Sequence, residues 1–186
     1  MDMAQLLEKS PVVAAIKDDE GLEKALLSDC SIVFILYGNI CSISEIVSKV
    51  IGSGKAAFVH ADLINGLSMK DIAIDFIKNE TKATGIISTK PVLIKRAKEL
   101  SLLAVQRTFL IDSMALENMK KQIESCKPDA LEIMPGIMPE IIKKIDTFTD
   151  IPIIAGGLLS NKKEIMADLE AGADAVSTTS RDLWNV

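Results

Sequence analysis

The sequence predicts one α/β domain over residues 1–186, a compact (β/α)8 TIM-type barrel. Three features predict it. Eight short apolar runs, rich in β-branched residues, recur along the chain, and each is followed by a helix-like or turn-like segment. The runs are apolar almost without interruption, as strands are when helices cover both faces of a parallel sheet. The last two runs end in Gly156-Gly157 and in Ser177-Thr-Thr-Ser180, where eight-stranded barrels hold phosphate. An open doubly wound sheet is the alternative, and eight units favour closure. At 186 residues the chain is short for a fold that typically needs roughly 250, so its helices and loops must be short.

The elements follow in order. Residues 11–17 form the first apolar run, and Asp18-Asp-Glu20 is an acidic helix start with Leu22, Ala25 and Leu26 on one face. Residues 31–38 are a second strand closed by glycine, followed by Ile43, Ile46, Val47 and Val50 at helical spacing. Residues 55–62 are the third strand; Asn65-Gly66 is a turn, Ser68 is the expected N-cap, and Ile72 to Ile77 mark a helix. Residues 84–89 are the fourth strand, and Pro91 opens a basic amphipathic helix to Leu100. Residues 102–109 are the fifth, with Asp112 or Ser113 capping a helix to about Cys126. Residues 130–135 are the sixth, with Pro139 turning into a helix to Phe148. Residues 151–157 and 173–180 are the seventh and eighth, separated by the helical pattern of residues 161–170. The tail from Arg181 holds at most one helical turn.

Composition narrows the class. No apolar run reaches the roughly 18 residues of a membrane span, and the N-terminal residues lack a secretory pattern. Cys30, Cys41 and Cys126 are odd in number and lack metal-like spacing, which fits reduced thiols in a cytoplasmic protein. The net charge of −5 argues against a uniformly basic nucleic-acid binder. Residues 78–127, however, hold ten Lys/Arg against five Asp/Glu.

Barrel sites lie at the carboxyl ends of the strands. There Gly156, Gly157, Ser177, Thr179 and Ser180 can present main-chain N–H and hydroxyl groups to a phosphate. Lys17, His60, Asp62, Gln106, Arg107 and Glu132 can meet the rest of a polyol phosphate. By strand alternation Leu131 and Ile133 face the helices and Glu132 faces the barrel, where a carboxylate needs a partner. Lys90, Lys95, Arg96, Lys98, Lys120 and Lys121 lie on or beside the helices after strands four and five. They are candidates for one basic face toward an anionic polymer, or simply solvated helix surface, with no exposed aromatic platform legible beside them.

Two enzyme templates fit badly. A metal-dependent epimerase of this fold wants two histidines and two aspartates, and His60 is the only histidine. A Schiff-base aldolase wants a lysine inside the barrel, where strand six carries Glu132. The expectation is therefore no metal, no cofactor and no catalytic residue. The alternative is a small phosphotriose or polyol-phosphate isomerase or lyase using Glu132 or His60.

The chain also resembles a known family. Val13-Ala-Ala-Ile-Lys17, His60-Ala-Asp-Leu-Ile-Asn-Gly-Leu67, Thr84-Gly-Ile-Ile-Ser-Thr-Lys90, Gln106-Arg-Thr-Phe-Leu-Ile-Asp-Ser113, Asp129-Ala-Leu-Glu-Ile-Met-Pro-Gly136 and Ile153-Ile-Ala-Gly-Gly157 are similar to the glycerol uptake operon antiterminator proteins of Gram-positive bacteria. Ala173-Asp-Ala-Val-Ser-Thr-Thr-Ser180 and Leu183-Trp184 extend the likeness to nearly the whole chain. The resemblance implies a regulator that binds glycerol 3-phosphate, acts on the leader mRNA of glycerol-utilisation genes and lets transcription pass a terminator. It implies no residue-level RNA site. Self-association as a homo-oligomer is compatible with it.

Overall fold

The structure, a computed structural model, describes residues 2–185. Eight parallel strands close into a barrel in sequence order: β1 (Val12–Ile16), β2 (Ile32–Ile35), β3 (Ala56–His60), β4 (Gly85–Ser88), β5 (Leu103–Phe109), β6 (Ala130–Met134), β7 (Ile153–Gly156) and β8 (Ala175–Thr178). The ring closes where Val12, Val13 and Ala14 pair with Val176, Ser177 and Thr178. Closure, not an open sheet, is the outcome, because every strand then loses its free edge.

Alternation along each strand divides the side chains into two cores. Val12, Ala14, Val33, Ile35, Leu131, Ile133 and Ala155 face the helices. Val13, Phe34, Phe58, Ile87, Val105, Ile154 and Ala175 fill the barrel. Phe34 and Phe58 meet there at 5.7 Å between ring centres, tilted by 58°.

Helices α2 (Asp19–Leu27), α3 (Ile43–Gly52), α4 (Ile72–Glu80), α5 (Pro91–Glu99), α6 (Ser113–Cys126), α7 (Pro139–Asp146) and α8 (Lys162–Glu170) follow β1 to β7. Asp18, Asp112 and Asn161 cap α2, α6 and α8 through their side chains, as their short polar groups favour. Ser68 does not cap α4: that helix starts at Ile72 after Asp71, with no side-chain cap. No described helix is long and apolar enough to cross a membrane. After β8 the described residues hold one 3-10 turn, Arg181–Leu183, and the Trp184 indole N–H donates to Thr178 O at 2.9 Å.

A short helix α1 (Met3–Leu7) precedes the barrel and has no counterpart among the expected elements. Asp2 and Gln5 cap each other's main-chain N–H, a reciprocal box that starts even a five-residue helix. Its buried Met3, Leu6 and Leu7 join the inner core at the amino ends of the strands. The barrel is thus plugged at that end and accessible at the other.

Candidate functional site

The loops after β7 and β8 build the accessible end. Gly156 sits where a Cβ would lie 2.5 Å from Ser177 Oγ and 2.9 Å from Glu132 Oε1, so only glycine lets those groups approach. Gly157 has φ +76°, a conformation that side chains disfavour, and a Cβ there would meet Met134 Cε at 2.6 Å. Leu158 continues with φ 62°. Among the described residues, the main-chain N–H groups of Gly157, Leu158, Leu159 and Thr179 donate to no protein acceptor. Two neighbouring loops with unpaired donors make an anion-binding concavity.

The α8 N-terminus is less involved than its position suggests. Its first-turn N–H of Glu164 is taken by Asn161, and the Ser160 N–H by the Glu164 carboxylate at 2.7 Å. The loops are braced against each other instead. Thr178 Oγ1 donates to Leu159 O at 3.1 Å and accepts from the Ser180 N–H at 3.0 Å. Thr179 is exposed and Ser180 half-buried. Ser177 points inward, and its hydroxyl donates to Glu132 Oε1 at 2.6 Å, so it holds the carboxylate and leaves the cradle to its neighbours.

A cavity of about 450 Å³ joins this cradle to Arg107, Glu132, Met134 and Ser177. Glu132 is fully buried, and Arg107 is 7% exposed. Arg107 Nε donates to Glu132 Oε2 at 2.6 Å, and an Nη donor to Oε1 at 3.2 Å. This two-pronged pairing satisfies the buried carboxylate. It uses two of the guanidinium's five N–H groups, and the guanidinium is the cationic group in the cavity wall.

His60 lies two residues beyond Phe58 on the inward face of β3 and is 2% exposed. Burial, then the Arg107 guanidinium, hold its pKa down at about 4 against the pull of Asp62 and Glu132. It is a neutral imidazole whose Nδ1 has no partner among the described residues. Asp62, in the turn after β3, is fastened by the Ser88 and Thr89 hydroxyls and the Thr89 N–H. Burial pushes its pKa up, but these hydrogen bonds outweigh it and keep the carboxyl below its usual range. Asp62 ties β3 to β4 more than it faces the cavity.

Two polyol-side candidates stand elsewhere. Gln106 precedes Arg107 in β5 and faces outward, where its side chain meets Thr89 O, Gln122 and Cys126. Consecutive strand residues point to opposite faces, which removes it from the cavity. Lys17 is exposed beyond β1, outside the cavity wall. Leu158 and Leu159, absent from the sequence-based candidates, supply free N–H groups; they follow directly on the paired glycines, which was the available signal.

The six basic candidates do not form one free face. Arg96 is clamped by Asp75 at 2.6 and 3.1 Å and by Glu99 at 2.8 Å, turning it toward α4. Lys98 pairs with Asp129. Lys120 pairs with Glu117 at 3.0 Å and lies 4.9 Å from the Phe148 ring centre. Lys90, Lys95 and Lys121 are exposed, with no carboxylate partner among the described residues. An exposed aromatic does accompany them: Phe109 is 54% exposed at the end of β5.

Known proteins are similar to this chain over nearly its full length. The structure resembles the glycerol uptake operon antiterminator regulatory protein of Listeria monocytogenes str. 4b F2365 with a TM-score of 0.91 and 36% identity, covering 94% of this chain and 95% of that one. A glycerol uptake operon antiterminator-related protein of Thermotoga maritima MSB8 gives a TM-score of 0.84 and 33% identity, over 94% and 98%. The uncharacterized protein YgcP of Escherichia coli (strain K12) is 40% identical over 186 residues, all of this chain and 97% of that protein. The deoxyribose phosphate aldolase of Aeropyrum pernix shares the fold, with a TM-score of 0.71 at 13% identity. Residues 12–184 match the family described as glycerol-3-phosphate responsive antiterminator, and the chain belongs to that family.

Proposed function

We propose that the protein senses glycerol 3-phosphate and, in response, acts on the leader RNA of glycerol-utilisation genes in the cytoplasm. The observation that carries the ligand is the cradle of four unpaired N–H groups beside Arg107. A phosphate on Gly157, Leu158, Leu159 and Thr179 would receive four donors without displacing any existing hydrogen bond. The glycerol hydroxyls would then lie toward Glu132 in the cavity wall, with the neutral His60 imidazole buried behind it in the barrel. Family membership supports the regulatory reading, and the unpaired Lys90, Lys95 and Lys121 support an RNA partner.

Isothermal titration calorimetry tests the ligand. Glycerol 3-phosphate should bind, and glycerol and inorganic phosphate each bind far more weakly, because each meets only half of the site. Equal affinity for phosphate and glycerol 3-phosphate would reduce the site to a bare anion hole. Leader-RNA binding with and without the ligand tests the response, since a sensor's ligand must prefer one of two states.

A second reading, a polyol-phosphate lyase or isomerase, is favoured by one observation, the buried neutral His60 with an unpartnered Nδ1. Turnover of glycerol 3-phosphate or a related triose ester, lost in His60→Gln, would establish it.

A further inference from the structure

Outside the cradle, a second concavity lies between the end of β5 and helix α6. It is a pocket of about 240 Å³ whose lining includes Thr89, Arg107, Thr108, Phe109, Asn118 and Gln122. Hydroxyls and amides dominate its side-chain polar groups. Thr108 Oγ1 is buried and has no partner among the described residues. Asn118 is exposed and makes no side-chain hydrogen bond to a described residue, and the Gln122 amide nitrogen is likewise free. Phe109 adds a half-exposed ring at the edge.

Three lysines with no carboxylate partner among the described residues lie on or beside the two neighbouring helices. Lys90 follows Thr89 directly and precedes α5. Lys121 is three residues beyond Asn118 on α6, one turn away on the same surface. Lys95 lies on the α6 side of α5: burial pushes the Cys126 thiol up, and the nearby Lys95 ammonium pulls it partly back. Asp62 is engaged by Ser88 and Thr89, Glu117 by Lys120 and Asp129 by Lys98, whereas Glu124, one turn beyond Lys121, is exposed.

We infer that the groove between α5 and α6 is a single-stranded RNA track, with one unstacked base held in the pocket between Phe109, Asn118 and Gln122. This rests on the RNA reading above. The occupant follows from the chemistry. Arg107 is the one cationic residue in the pocket wall, and its guanidinium is turned away onto the buried Glu132, so a phosphate has little to draw it in. Amides and a hydroxyl, which both donate and accept, match the edge of a base, and the ring offers a stacking face. The phosphates of a strand crossing the groove would meet the flanking ammonium groups. A duplex keeps its bases stacked and cannot fill a side pocket, so the site selects unpaired RNA. The ligand cavity and this pocket also share a strand end: Arg107 points into one, and Thr108, the next residue, toward the other.

The test is fluorescence anisotropy of the full chain with short single-stranded oligouridylate and oligoadenylate, the matched duplex, and a leader transcript, each over a salt series. The single strands should bind better than the duplex. Phe109→Ala and Asn118→Ala should each weaken single-strand binding about tenfold, with the salt slope unchanged. Replacing Lys90, Lys95 and Lys121 by alanine should lower the slope by about 0.7 per residue. Unchanged melting and unchanged glycerol 3-phosphate binding in these variants keep the readout specific. If the wild-type chain binds RNA and neither Phe109→Ala nor Asn118→Ala matters, or the duplex binds equally, the base pocket is wrong while the RNA reading stands. If the wild-type chain binds none of these RNAs, the RNA reading itself fails.

Discussion

Replacing Asp168 by asparagine should stabilise the protein at neutral pH and leave it nearly unchanged in mild acid. Asp168 sits with Ile165 on the buried face of α8 and is 1% exposed. Neither carboxylate oxygen has a partner among the described residues. Burial, then the neighbouring Glu164 carboxylate, raise its pKa from 3.8 to about 6. The sign follows from proton linkage. Between these two values the folded state holds the proton and the unfolded state has released it, so stability falls as pH rises through the window and is level above it. A shift of about two units at 1.36 kcal/mol each is about 3 kcal/mol of stability missing at neutral pH. Asparagine cannot ionise and recovers that amount, which for a chain of this size raises Tm by about 6–12 °C. Urea or thermal denaturation of both proteins at neutral pH and near pH 4 measures it, and the difference between proteins cancels every other titrating group. Equal stability at neutral pH would mean the carboxylate has a partner in the fold, and the reasoning fails.

Other outcomes follow from the same geometry. Arg107→Met should cost about 3–5 kcal/mol, because it strands the buried Glu132, whereas Arg107→Met with Glu132→Leu should recover most of it in denaturation yet still lose glycerol 3-phosphate in calorimetry. Gly157→Ala forces a side chain into φ +76° against Met134 and should weaken the ligand more than tenfold by displacing the loop N–H groups, with about 1–2 kcal/mol lost in a melt. His60, held near pKa 4 against 6.5 when unfolded, takes up its proton on unfolding first, so stability should decline as pH falls from 6.5 toward 4. His60→Gln should remove that decline from a pH series of melts.

Much of this could be read from the residues, and the failures have physical causes. The eight apolar runs became eight strands because near-continuous burial leaves few other structures open to Val, Ile and Ala at such lengths. Glu132 was placed inside the barrel by alternation alone, and it is there. The same rule, applied to the adjacent pair Gln106 and Arg107, separates them; treating both as facing the cavity ignored it. Helix α1 is hard to read from sequence because five residues show little periodicity, although Asp2 and Gln5 carry its cap. The basic face is narrower than a charge count suggests, with Arg96, Lys98 and Lys120 held in ion pairs. Counting charges reveals lysines and arginines but not Asp75, Glu99, Asp129 and Glu117, which come to them through folding or from the next helical turn. Which cations stay free is a tertiary property, and so is the exposure of Phe109.

The plug formed by Met3, Leu6 and Leu7 makes the barrel a blind well. Whatever binds at its floor enters and leaves by one route, past the loops of Leu158 and Thr179. Residence time is then set at the rim rather than at the floor. A macromolecule resting across that rim would slow the escape of the small molecule beneath it, whether or not it changed a single contact to it.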